Sequence, residues 1–204
     1  MTTTIDGSTG IVTQAIDVTT PITVSDGGTG LSAAGSAGNV LVSDGTSWSS
    51  ASKITTGIAQ NTTSGTSVDF TSIPSWAKRI TVAFSAVSTN GSSEIQVQIG
   101  AGSITNTGYI SASGAFSGSS NSSSYTTGFV LKTASASASL YGNMTISLVS
   151  GNTWVYSFSG TRIASDLLVA GGGITLSGTL DRIRITTVNG TDTFDAGSVN
   201  IMYE

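Results

Sequence analysis

Apolar and polar residues alternate along most of the chain after residue 53. The segments Ile80–Ala86 and Ile95–Ile99 carry an apolar side chain at every second position, with Thr, Ala, Ser or Gln between. A period of two is typical of a strand that buries one face. The dipeptide Asn90-Gly91 lies between the two segments, and Asn-Gly between alternating runs favours a tight turn. We therefore expect these segments to pair as a β-hairpin.

Further segments share this period or are rich in β-branched and aromatic residues. They are Ile54–Gln60, Ser67–Phe70, Tyr125–Lys132, Leu140–Val149, Thr153–Phe158, Ile174–Leu176, Ile183–Ile185 and Val199–Tyr203. The first two are expected to pair through a turn at Gly65, and the aromatic strip of Trp154, Tyr156 and Phe158 is expected to face the core. With roughly eight to ten strands and no helical period, the pattern predicts an all-β antiparallel sandwich of jelly-roll type.

Residues 1–52 differ from the rest of the chain. Thr, Ile and Asp dominate the first part, and the Gly-rich stretch Asp26–Trp48 follows, with turn signals at Asp26-Gly27-Gly28 and Asp44-Gly45 around a short predicted strand, Asn39–Ser43. Such a segment has too little apolar surface to build a core alone. We expect an extended attachment and shaft segment over 1–52 that orders against copies of itself, followed by a β-sandwich domain over 53–204. A disordered leader is the alternative.

Composition excludes most enzyme classes. The chain has no His and no Cys, so Ser–His and Cys–His catalysis, thiolate metal sites and disulfides are excluded. Seven basic residues in a chain of net charge −4 give no footprint for nucleic acid, and no apolar run reaches the roughly 20 residues that span a membrane. We expect no enzymatic activity, no cofactor, no metal and no membrane insertion.

Carboxylates offer two weaker possibilities. Glycoside hydrolysis needs two carboxylates about 5–9.5 Å apart, and the candidates after residue 53 are Asp69, Glu94, Asp166, Asp181, Asp192, Asp195 and Glu204. None stands in a recognisable catalytic pair. The group Asn189, Asp192 and Asp195 is a weak calcium candidate, although aspartates in turns more often cap backbone groups.

The candidate ligand-binding residues are Asn106, Tyr109, Asn121 and Tyr125. They lie in or beside residues 101–124, the longest stretch that its Gly, Ser and Asn content marks as irregular. Amide and aromatic side chains on loops suit a sugar ligand, whereas a variable solvent-exposed loop is the alternative. Arg182 and Arg184 suit anionic sugars, but charges that protect a strand from edge pairing are the favoured alternative.

Three segments resemble tail fibre proteins of tailed bacteriophages. They are GGTGLSAAGSAGNVLVSDGTSW (27–48), which is similar to a linker that recurs in such fibres, IPSWAKRITVAFSAVSTNGSSEIQVQIG (73–100), and the ending TDTFDAGSVNIMYE (191–204). The last two resemble parts of the host-facing tip domain. The resemblance implies an all-β receptor-binding tip on a fibre of the virion, made in the host cytoplasm.

The same resemblance implies the partners. We expect a homotrimer, attached through residues 1–50 to another phage tail or baseplate protein, that recognises a host surface polysaccharide without cleaving it. A purely structural virion component, such as a fibre section or a capsid decoration protein, is the alternative. A polysaccharide depolymerase is a third hypothesis, which the short chain disfavours.

Overall fold

The computed structural model describes residues 23–26, 28–116, 120–163 and 166–204. The expectations for residues 1–22 lie outside this part. Two compact units divide the chain between Lys53 and Ile54. The described residues hold strands in antiparallel sheets and no α-helix, so the predicted all-β class is confirmed.

The first unit contains a 3₁₀ helix, Val24–Asp26, and a hairpin of β1 (Asn39–Ser43) and β2 (Trp48–Ser52). The predicted strand and the turn after it are confirmed. The Asp44 carboxylate accepts backbone N–H groups of Ser47 at 2.7 Å and Thr46 at 2.8 Å. These bonds, that of Ser47 first, lower the pKa of Asp44 to about 2. Asp44 therefore closes the hairpin as a turn cap.

This hairpin does not bury its large apolar side chains. Val40, Leu41, Val42 and Trp48 keep 41%, 48%, 41% and 38% of their surface exposed. Because successive strand residues point to opposite faces, Leu41 lies on the face opposite Val40 and Val42. Both faces of the hairpin are therefore partly apolar and open, and an isolated two-stranded hairpin is marginally stable at best.

The second unit forms two antiparallel sheets. In its described part the strands are β3 (Thr55–Thr56), β4 (Gln60–Asn61), β5 (Ser67–Thr71), β6 (Arg79–Thr89), β7 (Ile95–Ala101), β8 (Ser103–Ile104), β9 (Ile110–Phe116), β10 (Ser120–Tyr125), β11 (Phe129–Leu131), β12 (Leu140–Ser150), β13 (Thr153–Ile163), β14 (Asp166–Thr175), β15 (Arg182–Thr187) and β16 (Phe194–Tyr203). The nine-stranded sheet has the order β10-β9-β14-β13-β12-β6-β16-β3, with β4 also paired to β16. The five-stranded sheet has the order β11-β7-β15-β5, with β8 beside β7.

Both sheets contribute their apolar residues to one core. The ring of Phe129 on β11 stacks on Tyr156 of β13, with centroids 4.3 Å apart and planes at 28°. Trp154, Tyr156 and Phe158 are 3%, 5% and 3% exposed, so the prediction that this aromatic strip faces the core is confirmed. The alternation of β6, β7 and β15 likewise places their Val and Ile side chains inside.

The predicted hairpin of β6 and β7 is wrong. β6 pairs with β12 and β16 in the nine-stranded sheet, whereas β7 pairs with β11 and β15 in the five-stranded sheet. The connection between them crosses the core and binds the connection between β15 and β16. Asn90 N–H donates to Thr193 O at 2.9 Å, Thr193 N–H donates to Asn90 Oδ1 at 2.9 Å, and Ser93 N–H donates to Asp192 Oδ2 at 2.9 Å. Asn90 thus joins the β6–β7 connection to the β15–β16 connection, two of the places where the chain passes from one sheet to the other.

Two other local expectations are also wrong. β5 pairs with β15, whereas β3 and β4 pair with β16, so the strands around Gly65 lie in different sheets. Residues 120–124, expected as loop, form most of β10 along β9. β10 lies at the edge of its sheet, and backbone pairing there needs few apolar side chains. Residues 134–139, in which Ala and Ser alternate, form a turn and no strand.

Candidate functional site

The outward face of the five-stranded sheet carries two rows of polar side chains. The register sets Gln96, Thr186 and Ser67 opposite one another on β7, β15 and β5. The next row is Gln98, Arg184 and Asp69. Residues that lie directly opposite in antiparallel strands place their side chains on the same face. Since the alternating Val and Ile residues of these strands fill the core, the amide, hydroxyl and charged groups collect outside.

The connection between β10 and β11 packs over the amide side chains. Thr127 Oγ1 donates to Gln96 Oε1 at 2.9 Å, and Gln98 Nε2 donates to Thr127 O at 2.9 Å. A Cβ on Gly128 would lie 2.7 Å from Gln96 Oε1, so a larger residue there would displace the Gln96 amide. Gln96 and Gln98 are only 3% and 7% exposed, and their amides are therefore held in fixed orientations.

Together these groups line a groove of about 300 Å³, which we call the polar groove. Its lining includes Ser67, Gln96, Gln98, Arg184 and Thr186 from the strands, with Asn106, Thr127 and Asn189 from the connections. This volume lies near the lower end of small-molecule sites, which hold roughly 300–1,000 Å³. No aromatic side chain is among the described residues that line it. Ligands would therefore be held by hydrogen bonds rather than by ring stacking.

Arg184 is committed to a carboxylate partner. Its Nε donates to Asp69 Oδ1 and its Nη2 to Asp69 Oδ2, both at 2.7 Å. This hydrogen-bonded pairing raises the pKa of Arg184 above its ordinary value. Arg182 pairs in the same way with Asp181, at 2.7 and 3.0 Å. Both guanidinium groups predicted as anion ligands are therefore neutralised locally. The favoured alternative, protection of an edge strand, is also wrong, because β15 lies between β5 and β7.

Several polar atoms of the groove have no partner within the described part of the chain. They are the Gln98 side-chain oxygen, the Asn106 amide and the Ser67 hydroxyl. The Nη1 N–H groups of Arg184 are likewise left over by its bidentate pair. The groove therefore presents acceptors and donors side by side, the arrangement that a ligand bearing several hydroxyl groups satisfies.

The structure separates the predicted ligand residues. Asn106 lines the polar groove. Tyr109 is 1% exposed, and its hydroxyl accepts from Ile99 N at 2.8 Å and lies 2.9 Å from Thr105 O, to which it donates. Burial raises the pKa of Tyr109, and its ring meets Phe129 edge-on at 5.0 Å. Tyr109 belongs to the core and presents no face to a ligand, which corrects its assignment.

The other two candidates lie on β10, in the other sheet. The backbone of Asn121 pairs with Ala115. Tyr125 is half-buried, and the negative charge of Glu94 raises the pKa of its hydroxyl. Tyr125 is not among the described residues that line the polar groove. The structure therefore does not bring Asn106, Tyr109 and Tyr125 together in one site.

The groove residues that the sequence analysis missed are Gln96, Gln98 and Ser67. The Gln residues were visible as the polar half of the alternation in β7, but that pattern does not distinguish a solvated face from a binding face. The informative signal is the register across β15, which sets Gln98 in line with Arg184 and sets Gln96 and Ser67 in line with Thr186. This register depends on pairings between strands far apart in sequence.

Most candidate carboxylates are engaged by single cations. Glu94 pairs with Lys132 at 2.6 Å, Asp166 with Arg162 at 2.7 Å, and Glu204 with Arg79. In the calcium candidate, Asp192 is engaged by hydrogen-bond donors of the protein, since its Oδ1 accepts from Asn189 Nδ2 at 2.6 Å and its Oδ2 from Ser93 N–H at 2.9 Å. Asn189 Oδ1 in turn accepts Thr191 N–H at 3.0 Å. Among the described residues no group of three or more Asp or Glu side chains is placed to hold a metal ion.

No helix within the described ranges is long and apolar enough to cross a membrane. No protein-family model matches the chain, and comparisons with curated proteins and with solved structures find no significant match.

Proposed function

We propose that the chain is a tail fibre protein of a tailed bacteriophage whose second unit binds a host surface glycan non-covalently in the polar groove. The observation that carries the proposal is the groove itself, in which Gln98, Asn106, Ser67 and Arg184 offer hydrogen-bonding groups without a partner in the described chain. The tail fibre assignment is supported by the resemblance of residues 27–48, 73–100 and 191–204.

The lining of the groove determines how binding would work. Sugar hydroxyl groups both donate and accept, so they replace water at amide, hydroxyl and guanidinium groups at little loss. Without an aromatic platform each groove would bind weakly. Copies held together in a fibre would raise the effective affinity by roughly 10²–10⁴ through avidity. This role requires no catalytic residue, cofactor or metal.

The fold proposed for the second unit is a jelly-roll type β-sandwich. Its support is the pairing of β6 with β16 in one sheet and of β7 with β15 in the other. The chain passes between the sheets from β6 to β7 and from β15 to β16, and these two connections lie side by side, joined by hydrogen bonds between Asn90 and Thr193. The two antiparallel pairs can therefore be described as one ribbon that folds over the core. The remaining β12–β13–β14 order is a meander, which departs from a simple jelly roll.

A homotrimer with an extended N-terminal shaft is part of the same proposal. Its support is the open hairpin of the first unit, whose Val40, Leu41, Val42 and Trp48 remain partly exposed. Residues 1–50 would attach to a tail or baseplate protein of the virion. Sedimentation of the full chain would test this, because a monomer at micromolar concentration contradicts it.

The test of glycan binding is adsorption of the full-length chain to cells of a susceptible host. We expect Gln98→Ala to reduce adsorption about tenfold, because it removes the fixed side-chain oxygen that accepts a hydrogen bond from a hydroxyl ligand. Thr71→Ala, on the outward face of β5 outside the groove lining, is the matched control. Equal adsorption by both variants would contradict the proposal.

A structural virion component remains the second candidate, because one observation favours it. The outward face of the nine-stranded sheet exposes Ile110, Phe116, Val155, Leu167 and Val169, a set we call the apolar face. Extended apolar surface of this kind is typical of protein contacts. If the chain binds no host cells or glycans but assembles with virion proteins, the structural candidate is correct.

A further inference from the structure

We propose that the polar groove selects uncharged, hydroxyl-rich sugar units and discriminates against glycans that carry carboxylate, sulfate or phosphate groups. This inference rests on the proposed glycan-binding function and specifies its ligand class. It follows from one juxtaposition, the bidentate pair of Arg184 and Asp69 beside the unpaired side-chain oxygen of Gln98.

The positively charged residue of the groove, Arg184, is already paired with a carboxylate. Of the described residues that line the groove, Arg184 alone is charged, and two of its N–H groups are held by Asp69 at 2.7 Å. An anionic group that used the same bidentate geometry would have to displace that carboxylate. An anionic group that bound beside Asp69 would be repelled at short range by the charge of that carboxylate. An uncharged ligand leaves the pair intact and uses the Nη1 N–H groups that remain.

Gln98 lies directly opposite Arg184 in the register of β7 and β15. Its Nε2 is held by Thr127 O at 2.9 Å, which turns its oxygen into a fixed acceptor. An ionised carboxylate or sulfate has acceptors only, so it cannot satisfy this atom. A hydroxyl group can donate to Gln98 and accept from Arg184 at the same time. The free Gln98 oxygen and the free Nη1 N–H groups of Arg184 together therefore match a hydroxyl group better than an anion.

The long-range field acts in the same direction. The chain carries a net charge of −4, and in the groove region Arg182 is also neutralised, by Asp181. A negative net charge slows the approach of polyanionic glycans. The groove therefore lacks the free positive charge that recognition of acidic sugars uses.

The test compares the full-length chain and two variants on an array of neutral oligosaccharides, each printed beside its sulfated or uronic counterpart. Asp69→Asn keeps the shape of the side chain but frees Arg184 inside the groove. Asp181→Asn makes the same change of net charge and frees Arg182, which does not line the groove. Circular dichroism of each variant shows that it is folded.

The native chain is expected to bind the neutral oligosaccharides of the array, and this binding should not depend on salt concentration. Asp69→Asn is expected to gain about tenfold on anionic members, whereas Asp181→Asn gains nothing. Preference of the native chain for anionic members, weakened by salt, would overturn the inference and leave glycan binding standing. An equal gain in both variants would also overturn it, because net charge would then decide. If all three folded proteins bind nothing, glycan binding itself fails.

Discussion

The two sheets bury similar residues but present opposite chemistry to solvent. On the five-stranded sheet the outward rows carry amides, hydroxyls and a paired Arg184 and Asp69. On the nine-stranded sheet the outward positions include Ile110, Leu167 and Phe116, which are 80%, 54% and 50% exposed. Inward alternation fixes only which half of each strand is buried. What each sheet can bind is determined by the other half.

The difference suggests a division of labour. A concave polar surface competes well for hydroxyl ligands, because fixed amides need not reorganise. An apolar outward surface gains free energy when another protein covers it, at roughly 25 cal/mol per Å² buried. We therefore expect the groove to determine ligand binding and the apolar face to determine association. Substitutions in the groove and on the apolar face separate these two roles, whereas substitutions in the core affect the part that both faces share.

The largest expected effect is on stability. Tyr109→Phe should lower the free energy of unfolding by about 2 kcal/mol, because Ile99 N–H would be left buried without its acceptor. Urea unfolding measures this change. Tyr125→Phe, half-buried on β10, is the control and should shift stability by less than about 0.5 kcal/mol. Equal losses in both variants would show that Tyr109 is not a core residue of this kind.

Arg184→Gln should weaken glycan binding about tenfold, because it removes charge-assisted donors from the groove. Leu167→Ser on the apolar face is the matched control and should leave glycan binding unchanged. Surface plasmon resonance on immobilised host polysaccharide measures both. If Leu167→Ser is the damaging change, the roles assigned to the two faces are reversed.

Replacing Phe116 or Leu167 by Ser should weaken self-association about fivefold each, since each loses part of its apolar contact area. Analytical ultracentrifugation over a dilution series measures this effect. Gln98→Ala is the control from the other sheet and should not alter the association constant. An oligomer indifferent to all three variants would place the contact elsewhere.

The smallest expected effect is that of pH. The raised pKa of Arg184 favours its charged form, so the contribution of its pair with Asp69 is present at neutral pH. On the arginine side it is lost as pH rises through that raised, strongly alkaline pKa. The chain has no His. Glycan affinity should therefore change less than about twofold between pH 6 and 8, as titration calorimetry can show. A larger change would mean that another group titrates in the groove.

The sequence was sufficient for the strands and their buried halves, and insufficient for their partners. The alternation of β6 and β7 predicted each strand because it reflects burial within that strand. It did not predict that Asn90 would bind Thr193 instead of closing a hairpin, since that contact joins two distant crossings. Tyr109 was mistaken for a loop residue because its burial depends on Phe129 and Ile99, which its local sequence does not reveal.

The candidate site shows the same limit. Asn106 was found by composition, whereas Gln98 and Ser67 become site residues only when β15 pairs between β7 and β5. That pairing sets Gln98 opposite Arg184 and Ser67 opposite Thr186. A polar residue in a strand has the same local signature on a solvated face as in a groove. Composition also marked 120–124 as loop, because Ser and Asn are common in turns. An edge strand accepts these residues as well.

The most direct test of the account is NMR mapping of the full-length chain, titrated with an uncharged oligosaccharide released from the host surface polysaccharide. The account predicts chemical-shift changes at the side-chain amides of Gln96, Gln98 and Asn106 and at Arg184 Nε, with the apolar face unaffected. Shifts confined to Ile110, Val155 and Leu167, or no shift at saturating oligosaccharide, would contradict the assignment of ligand binding to the polar groove.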